Sequence, residues 1–264
     1  MPVAPILILG AGRMGGALIE GWGRSPDFDP ETIMVRDPQV SPAIKAAGVV
    51  LNPPDSALIL AKTVLLAVKP QIWREAAAAV APHLAMDAVI VSIVAGVGSA
   101  VISQAFGGRR VARVMPTTAV EIGRGTASIY APTSEVRDVA HALFSGVGKI
   151  VDLADEDLLH AATGVSGSAP AYFYAFIEGL EAAGARSGLT VEQSKALARS
   201  TILGAAALMD SGSEEPADLR RRVTSPNGTT QAALDVLMRD GALEQLLTET
   251  VAACIARSRV LAGS

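Results

Sequence analysis

In Ile6-Leu7-Ile8-Leu9-Gly10-Ala11-Gly12-Arg13-Met14-Gly15, an apolar strand runs directly into glycines spaced G-x-G-x-x-G, and this junction indicates the fold class. The next residues, Gly16-Ala17-Leu18-Ile19, open a helix. In such a junction the first glycine permits the tight turn, the second lets the backbone approach a pyrophosphate, and the third lets helix and strand pack closely. The free N–H groups and partial positive charge of the helix N-terminus attract phosphate. The motif predicts a dinucleotide site formed by Gly10, Ala11, Gly12, Arg13, Met14 and Gly15.

Strand-like and helix-like segments alternate through the first part of the chain. The predicted strands are short apolar runs bounded by Gly, Pro or polar residues, at Ile6–Leu9, Thr32–Val35, Thr63–Val68, Ala88–Val94, Arg110–Met115 and about Ala127–Tyr130. The predicted helices are Arg13–Gly23, Ser41–Ala47, Ile72–Ala81, Ser99–Phe106 and about Ser134–Ser145. This alternation predicts a mostly parallel, doubly wound Rossmann-like sheet with helices on both faces, over residues 1–157.

After about Asp157 the strand-like runs end and Ala-rich helical segments follow. The predicted helices are Ala169–Ser187, Val191–Ser211, Pro216–Val223, Thr229–Arg239 and Leu243–Leu261. In the second of these, the apolar spacing predicts a buried helix, with Leu197, Ile202, Leu203 and Leu208 near one another on its surface. We therefore predict an all-α second domain over residues 158–264. Its many small residues let helices approach closely, which is typical of an oligomer interface.

Composition narrows the classes of function. The 264-residue chain has a net charge of −4, and Arg220-Arg221-Arg222 is its only basic cluster, which disfavours a nucleic-acid surface. No run approaches the roughly 18 to 20 apolar residues of a membrane span. A single cysteine, Cys254, excludes an internal disulfide, and the three histidines lack metal-ligand spacing, so we predict no metal site. The N-terminus lacks the pattern of a secretory signal, and we expect a cytoplasmic protein.

The end of the second predicted strand bears on the choice between NADH and NADPH. An acid at this place accepts hydrogen bonds from the ribose 2′-hydroxyl, whereas a basic residue suits a 2′-phosphate. The sequence there is Val35-Arg36-Asp37-Pro38, which supplies one residue of each kind. We expect Arg36 and Asp37 to contact the cofactor, and the sequence leaves open whether that cofactor is NADH or NADPH.

Two later strand ends are predicted to line the same crevice, because ligands of open α/β sheets bind outside the carboxyl ends of the strands. One is Ala67-Val68-Lys69-Pro70, and the other contains Val94-Ala95-Gly96. We predict that all seven residues border the cofactor near its nicotinamide. The alternative for Lys69 is an ordinary solvated lysine.

A second glycine-containing turn occurs late in the chain, at Ser225-Pro226-Asn227-Gly228-Thr229-Thr230. The first four residues are typical of a turn, and Thr229 or Thr230 is a favourable helix N-cap. A helix that follows such a turn presents N–H groups to a small carboxylate, and a threonine hydroxyl can reach a ring nitrogen beside it. The alternative is an ordinary loop-to-helix cap with no ligand.

Together with Leu219-Arg220-Arg221-Arg222-Val223-Thr224 and Gln231-Ala232-Ala233-Leu234 around it, this turn resembles the C-terminal signature of the pyrroline-5-carboxylate reductase family. The likeness extends to the glycine-rich start, Ala67–Pro70, Ala95-Gly96-Val97 and Gly164–Tyr172.

The resemblance implies NAD(P)H-dependent hydride transfer to the imine carbon of 1-pyrroline-5-carboxylate, which gives L-proline. It implies a catalytic hydrogen bond between Thr230 and the ring nitrogen. It also implies a substrate site formed by Ser225, Pro226, Asn227, Gly228, Thr229 and Thr230. The helical domain would dimerise by interlocking with a second subunit, which would complete this pocket in a dimer or higher homo-oligomer.

The sequence departs from the family pattern at several places. Family members usually carry Met-Pro-Asn-Thr-Pro where this chain has Met115-Pro116-Thr117-Thr118-Ala119, so the substrate-side wall is predicted to be looser or unaffected. Asn227 replaces a glycine, and because Asn tolerates the left-handed conformation we expect the turn to survive. Asp37 stands where a small hydroxyl residue is common, which puts NADPH preference in doubt.

Two other readings of the sequence are open. One is another reductase of similar architecture, either an imine reductase or a β-hydroxyacid dehydrogenase. A β-hydroxyacid dehydrogenase needs a lysine on its long interdomain helix, and Ala169–Ser187 contains none. The other reading is a non-catalytic dinucleotide sensor, which would not need the Ser225–Thr230 turn. His160 is a candidate proton donor, although a hydrogen-bonded histidine at the domain boundary is the simpler interpretation.

Overall fold

The computed structural model describes residues 3–26 and 28–262. It contains one sheet in the order β3-β2-β1-β4-β5-β6-β7-β8. The strands are β1 (Ile6–Leu9), β2 (Ile33–Arg36), β3 (Val50–Leu51), β4 (Thr63–Leu66), β5 (Val89–Ser92), β6 (Val111–Pro116), β7 (Gly125–Tyr130) and β8 (Gly148–Asp152). Neighbouring strands are parallel except at the β6–β7 pair, which is antiparallel. The predicted doubly wound, mostly parallel sheet is confirmed.

The helices of the first part alternate with these strands, and those of the second part follow one another. They are α1 (Arg13–Trp22), α2 (Pro42–Ala46), α3 (Trp73–Val80), α4 (Ser99–Ala105), α5 (Ser134–Phe144), α6 (Leu158–Ala162), α7 (Ala169–Arg186), α8 (Val191–Ser211), α9 (Pro216–Arg222), α10 (Thr229–Leu237) and α11 (Ala242–Ala262). A π-helical turn, Thr163–Gly167, joins α6 to the residues before α7.

The core lies on both faces of the sheet because alternate side chains of each strand point to opposite sides. In β1, Ile6 and Ile8 belong to one buried cluster and Leu7 and Leu9 to the other, and all four are essentially inaccessible to solvent. A strand buried on both faces has a continuous apolar sequence, which is what Ile6–Leu9 shows. The core therefore fixes β1 at the centre of the sheet, directly before the glycine turn.

Differences from the predicted elements are concentrated where hydrophobic periodicity is weak. Strands β3 and β8 were not predicted. Both lie at edges of the sheet: β3 has only two residues, and β8 has mostly exposed or half-buried side chains. Helix α6 and the π-helical turn were not predicted either. At the other predicted elements the bounds differ by at most a few residues, and Val191–Ser211 is reproduced without change.

The chain divides into two compact units. The first contains residues 1–167 together with 254–264, and the second contains residues 168–253. The predicted domain boundary lies at residue 157, about ten residues earlier, and the prediction assigned the whole C-terminus to the second domain. The difference arises because α6 and the π-helical turn pack on β6 and β7, and because the end of α11 returns to the first unit. One example of that return is Arg259, which donates to Asp157 over 2.7 Å.

Within the second unit, α8 packs against α7 through polar contacts as well as apolar ones. The hydroxyl of Ser194, which is 3% exposed, donates to the main-chain oxygen of Glu181, and Arg199 pairs with the Glu181 carboxylate at 2.7 Å. The prediction of a buried α8 is wrong for the single chain: Leu197, Leu203 and Leu208 are 55%, 70% and 56% exposed. Apolar faces of this size on a helix are typical of a surface that another subunit covers.

Within the described part of the chain, none of the helices combines the length and the apolar character needed to traverse a bilayer. Within the same residues, no cluster of three or more His, Cys, Asp or Glu side chains is arranged to hold a metal ion.

Arg109 is the charged residue most deeply built into the core of the first unit. It is 5% exposed, and its guanidinium donates to the main-chain oxygens of Leu84, Ala85 and Phe106 at 2.6, 2.9 and 2.6 Å. Desolvation lowers the pKa of this guanidinium from its usual value. The three carbonyl acceptors tie the loop after α3 to the loop after α4.

We expect Arg109→Ala to lower the free energy of unfolding by about 2–4 kcal/mol, because it leaves three buried carbonyl groups without their donor. Urea denaturation followed by circular dichroism measures this change. The matched control is Arg110→Ala, which removes a half-buried neighbour whose guanidinium pairs with the exposed Glu135 carboxylate and donates to the Asp87 oxygen, and we expect a loss of less than about 1 kcal/mol for it. Equal losses for the two variants would contradict the role assigned to Arg109.

Candidate active site

The glycine turn follows β1 and is fixed by main-chain contacts to both neighbouring strands. The N–H of Gly10 donates to the main-chain oxygen of Arg36 at the end of β2, over 2.9 Å. The N–H of Ala67, just after β4, donates to the oxygen of Leu9 over 2.9 Å. The turn, Arg36 and Ala67 are therefore brought together at the carboxyl edge of the sheet, as predicted for a dinucleotide crevice.

Each glycine of the turn meets a different steric demand. Gly10 has φ +92°, and an added Cβ would lie 2.9 Å from the Ala67 oxygen. At Gly15 an added Cβ would lie 2.1 Å from the Gly10 oxygen, so α1 packs too closely on the turn for any side chain. At Gly12 nothing lies within 4 Å of an added Cβ. Gly12 is thus open on the side where a ligand backbone contact is expected, while Gly10 and Gly15 are required by the fold.

The N-terminus of α1 has the donors that a pyrophosphate needs. Gly12 is the N-cap, and the first main-chain bond into the helix runs from Gly16 N–H to the Gly12 oxygen. Among the described residues no side chain caps this end. The N–H groups of Arg13, Met14 and Gly15 precede that first bond and so point out of the helix toward a phosphate. The residues at this helix end therefore suit the pyrophosphate of a dinucleotide.

Asp37 takes part in the turn itself. Its Oδ2 accepts from the Ala11 N–H at 2.7 Å and its Oδ1 accepts from the Gln39 N–H at 2.7 Å. Asn52, which has φ +44°, fixes the main chain of Asp37 by exchanging two hydrogen bonds of 3.1 Å with it. The Asp37 carboxylate is therefore held beside the glycine turn, at the position expected for contact with the adenosine ribose.

Arg36 lies beside Asp37 but its side chain is engaged elsewhere. Its Nη2 donates to Oδ1 of Asp55 at 2.7 Å, and the Asp55 carboxylate also has His83 Nε2 at 3.6 Å. The hydrogen bond from Arg36 holds the pKa of Asp55 below its usual value. The Arg36 Nε is buried, and within the described part of the chain it has no hydrogen-bond partner. The sequence identified Arg36 but gave no signal for Asp55, which follows the two-residue strand β3.

The other predicted cofactor residues lie in the two loops after β4 and β5. Ala67 and Val68 are half-buried, and Lys69 and Pro70 are exposed. Val94 is buried and Ala95 is exposed. Gly96 has φ +75° and is buried, and an added Cβ would lie 3.1 Å from the main chain of Leu261 and Ala262. The end of α11 thus covers the Gly96 turn, which the sequence did not indicate.

A charged group that sequence reasoning missed holds the loop after β5. The Glu156 carboxylate accepts from the N–H and hydroxyl of Ser99, both at 2.6 Å, at the start of α4. Its third donor is Arg113 of β6, at 3.0 Å, whose side chain is 9% exposed. Burial would by itself raise the pKa of Glu156, but these hydrogen bonds and the Arg113 charge outweigh it and lower that pKa.

Thr117 does not loosen the loop that follows β6. It is 9% exposed, and it exchanges main-chain and hydroxyl bonds of 2.9 Å with Thr126 of β7. Ala119 accepts from the Arg124 N–H at 3.0 Å within the turn after β6. Both departures from the family pattern are therefore accommodated in an ordered turn.

The predicted substrate turn lies in the second unit, before α10. Asn227 has φ +59°, which confirms the left-handed conformation, and the Gly228 N–H donates to the Ser225 oxygen at 3.0 Å. An added Cβ at Gly228 would lie 3.0 Å from that same oxygen. The predicted N-cap was Thr229 or Thr230, and this is wrong: Gly228 is the N-cap, and no side chain among the described residues caps the helix.

The correction at Gly228 changes the chemistry of the turn. The first main-chain bond into α10 runs from Ala232 to Gly228, so the N–H groups of Thr229, Thr230 and Gln231 lie ahead of it. The hydroxyls of Thr229 and Thr230 are not used as caps, and both residues are exposed. This helix end can bind a small carboxylate.

His160 has a structural environment. Its Nδ1 lies 2.8 Å from the Ser258 hydroxyl, its Nε2 lies 3.8 Å from Asp157, and its side chain is 12% exposed. These contacts join α6 to the end of α11 within the first unit. They favour the interpretation as a hydrogen-bonded histidine over that of a proton donor.

We expect Gly12→Ala to leave stability nearly unchanged while lowering the affinity for NADH and NADPH at least about tenfold, because the methyl group occupies the space of the pyrophosphate. Gly15→Ala is the contrasting variant: its methyl group meets the Gly10 oxygen, so we expect a loss of more than about 2 kcal/mol of stability. Thermal unfolding and fluorescence titration of the reduced cofactors measure the two effects. Unchanged cofactor binding in Gly12→Ala would contradict the assigned site.

We expect the stabilisation by Glu156 to depend on pH in a defined direction. Because its pKa is lowered in the folded state, the stabilisation is present at neutral pH and is lost as the pH falls through the acidic range. Denaturant midpoints of wild type and Glu156→Gln, measured from about pH 7 down to about pH 3, should converge at the acidic end. A constant separation between the two curves would show that the charge of Glu156 is not involved.

Comparisons with known proteins cover both units. Residues 156–261 match a family model described as pyrroline-5-carboxylate reductase dimerisation, and residues 5–96 match one described as NADP oxidoreductase, coenzyme F420-dependent. A pyrroline-5-carboxylate reductase of Pseudomonas aeruginosa is 37% identical over 270 residues, covering 99% of this chain and 98% of that protein. One from Pisum sativum is 33% identical, covering 99% and 100%.

A solved structure agrees with these sequence relatives. The structure of a pyrroline-5-carboxylate reductase from Coxiella burnetii superposes with a TM-score of 0.90 at 27% identity, covering 98% of each chain. The likeness therefore includes the sheet, the glycine turn and the helical segment that carries Ser225–Thr230. On the strength of the full-length relatives, this chain belongs to the pyrroline-5-carboxylate reductase family.

Proposed function

We propose that this chain reduces the C=N bond of 1-pyrroline-5-carboxylate to form L-proline, with NADH or NADPH as the reductant. The observation that carries the proposal is the N-terminus of α10, where a left-handed Asn227 and a glycine N-cap leave three main-chain N–H groups and two threonine hydroxyls without a capping role. The hydroxyls of Ser41, Thr133 and Thr190 cap the starts of α2, α5 and α8, whereas the threonine hydroxyls at the start of α10 have no such role.

The substrate carboxylate is assigned to the N–H groups of Thr229, Thr230 and Gln231. Each charge-assisted hydrogen bond of this kind contributes about 1.5–3 kcal/mol, so two or three hold a small anion without an arginine. Ser225, Pro226 and Asn227 shape the turn, and Gly228 is small enough to close it against the Ser225 oxygen. This division of roles explains how a turn made only of small and uncharged side chains can bind an anion.

Thr230 is assigned as the catalytic residue. Its hydroxyl accepts a hydrogen bond from the protonated ring nitrogen, which keeps the adjacent carbon electron-poor. The cofactor, when bound at Gly10–Gly15, Arg36, Asp37 and the loops after β4 and β5, supplies the hydride for that carbon. The chain itself contributes position and electrostatics, which in favourable cases lower a barrier by roughly 7–11 kcal/mol.

Self-association is part of the proposal. The dimerisation model covers the helical segment, and in a single chain α8 leaves Leu197, Leu203 and Leu208 uncovered. We propose that a second subunit covers this face and completes the substrate pocket, so that activity requires at least a dimer.

The alternatives make different demands on the structure. A β-hydroxyacid dehydrogenase needs a lysine on the helix corresponding to α7, and Ala169–Arg186 has none. A non-catalytic dinucleotide sensor would explain the glycine turn but not the unused donors at the start of α10. Turnover of 1-pyrroline-5-carboxylate separates these readings, because a sensor binds cofactor tightly and gives no turnover.

We expect Thr230→Ala to lower kcat/KM for 1-pyrroline-5-carboxylate by about 10- to 100-fold, the equivalent of one hydrogen bond to a charged group. Thr230→Ser keeps the hydroxyl and should retain most of the activity. The measurement is cofactor oxidation followed by absorbance.

The matched control for this test is Thr32→Ala, which removes a hydroxyl bonded to the Asp29 oxygen at the amino end of β2. Its kcat/KM should equal that of wild type. If Thr230→Ala also kept the wild-type kcat/KM, Thr230 would have no catalytic role.

A further inference from the structure

We infer that Asp55, through its ion pair with Arg36, sets the cofactor preference of this chain by withdrawing the arginine from a 2′-phosphate and so favouring NADH over NADPH. This inference rests on the proposed use of NADH or NADPH. It concerns a residue outside the glycine turn and outside the Arg36-Asp37 dipeptide, and it assigns Asp55 a positioning role.

The place of Arg36 in the fold makes it the group that a 2′-phosphate would require. It is the last residue of β2, its main-chain oxygen accepts from Gly10, and β2 lies beside β1 in the sheet. NADH and NADPH differ only by the phosphate on the adenosine ribose, which is bound beyond the end of this strand. An arginine here attracts that phosphate only when its charge is available.

The structure shows that this charge is already neutralised. Arg36 Nη2 and Asp55 Oδ1 are 2.7 Å apart, and the Arg36 side chain is only 27% exposed. The Asp55 side chain is 55% exposed, so its carboxylate is accessible to solvent while it pairs with Arg36. A phosphate carries about −1.5 to −2 charges, so it has to compete with the Asp55 carboxylate for this one cation.

The unused Arg36 Nε supports the same conclusion. It is buried, and in the described part of the chain no protein atom accepts from it. In this orientation the guanidinium pairs with Asp55 through Nη2, while its Nε donor is left without a hydrogen bond. Releasing Arg36 from Asp55 would free a side chain that has both an unsatisfied donor and an uncompensated charge.

Asp37 has a different role, although it is also acidic. Both of its carboxylate oxygens accept main-chain N–H groups, from Ala11 and from Gln39. Replacing Asp37 by Ser removes these bonds and disturbs the glycine turn, which both cofactors share. We therefore expect Asp37→Ser to weaken NADH binding, because it removes both the turn contacts and the acid at the ribose position, whereas Asp55→Asn leaves the turn intact and acts through Arg36.

The test is an equilibrium titration of the full-length protein with NADH and with NADPH, without substrate, followed by cofactor fluorescence. We expect Asp55→Asn to strengthen NADPH binding about three- to tenfold relative to NADH, the range for releasing one partly exposed ion pair toward a phosphate. The carboxamide keeps the size of the side chain. All titrations use one pH and one ionic strength.

Two further variants make the result specific. In an Arg36→Gln background the effect of Asp55→Asn should vanish, because Asp55 acts through the arginine. A persisting effect would mean direct repulsion of the phosphate by Asp55 and would overturn the inference.

Asp138→Asn removes an equal charge from α5, which packs on β5 to β8 and not on β2 or β3, and it should not change the preference. An equal shift in Asp138→Asn would reduce the effect to net charge and would also overturn it.

The cofactor titrations and the turnover experiment test the two proposals independently. Failure to turn over 1-pyrroline-5-carboxylate would contradict the reductase proposal but leave the titrations interpretable. An unchanged ratio of NADPH to NADH affinity in Asp55→Asn, with both cofactors still bound, would overturn the inference and leave the reductase proposal intact.

Discussion

The close approach of α1 to the turn after β1 is the constraint on which the cofactor half of this protein depends. Gly15 lies so near the Gly10 carbonyl that any side chain there would overlap it, with an added Cβ only 2.1 Å away. This contact aims the N-terminus of α1 at the space beyond the sheet edge. The N–H groups of Arg13, Met14 and Gly15 then face that space without further adjustment, so a steric demand of the fold also creates the phosphate site.

The surrounding strands convert this local geometry into a complete adenosine site. The end of β2 is joined to Gly10 by a main-chain hydrogen bond, and the Asp37 carboxylate binds the Ala11 N–H. Asp55 follows β3, next to β2 in the sheet, and pairs with Arg36. Two acidic side chains a few ångströms from the same strand end thus have separate tasks: one fixes the turn, and the other neutralises the arginine.

The helical half follows a related physical rule at Ser225–Thr230. A glycine N-cap satisfies none of the donors in the first turn of α10, whereas a threonine N-cap would satisfy one of them. The difference of one or two residues between the predicted and observed caps therefore determines whether the threonine hydroxyls and the main-chain N–H groups are available to a ligand. Anion binding by uncharged residues depends on this detail.

Features that arise from local chemistry could be predicted without the structure. Apolar strands of four to six residues, the G-x-G-x-x-G spacing and the left-handed Asn227 depend on neighbouring residues, and each was predicted correctly. Edge strand β8 was missed because its side chains are largely solvated and carry no periodicity. The exposure of α8 was mispredicted because an apolar helix face has the same pattern whether its own chain or a partner covers it.

Pairs of residues that are far apart in the sequence could be identified only in the folded structure. Asp55 is 19 residues from Arg36, Glu156 is 57 residues from Ser99, and Ser258 is 98 residues from His160. No local pattern encodes these pairs, since they depend on the strand order and on the return of α11 to the first unit. The sequence was therefore sufficient to predict a dinucleotide site at the glycine turn. The pairing of Arg36 with Asp55, which we infer to distinguish NADH from NADPH, could be identified only from the strand order of the folded sheet.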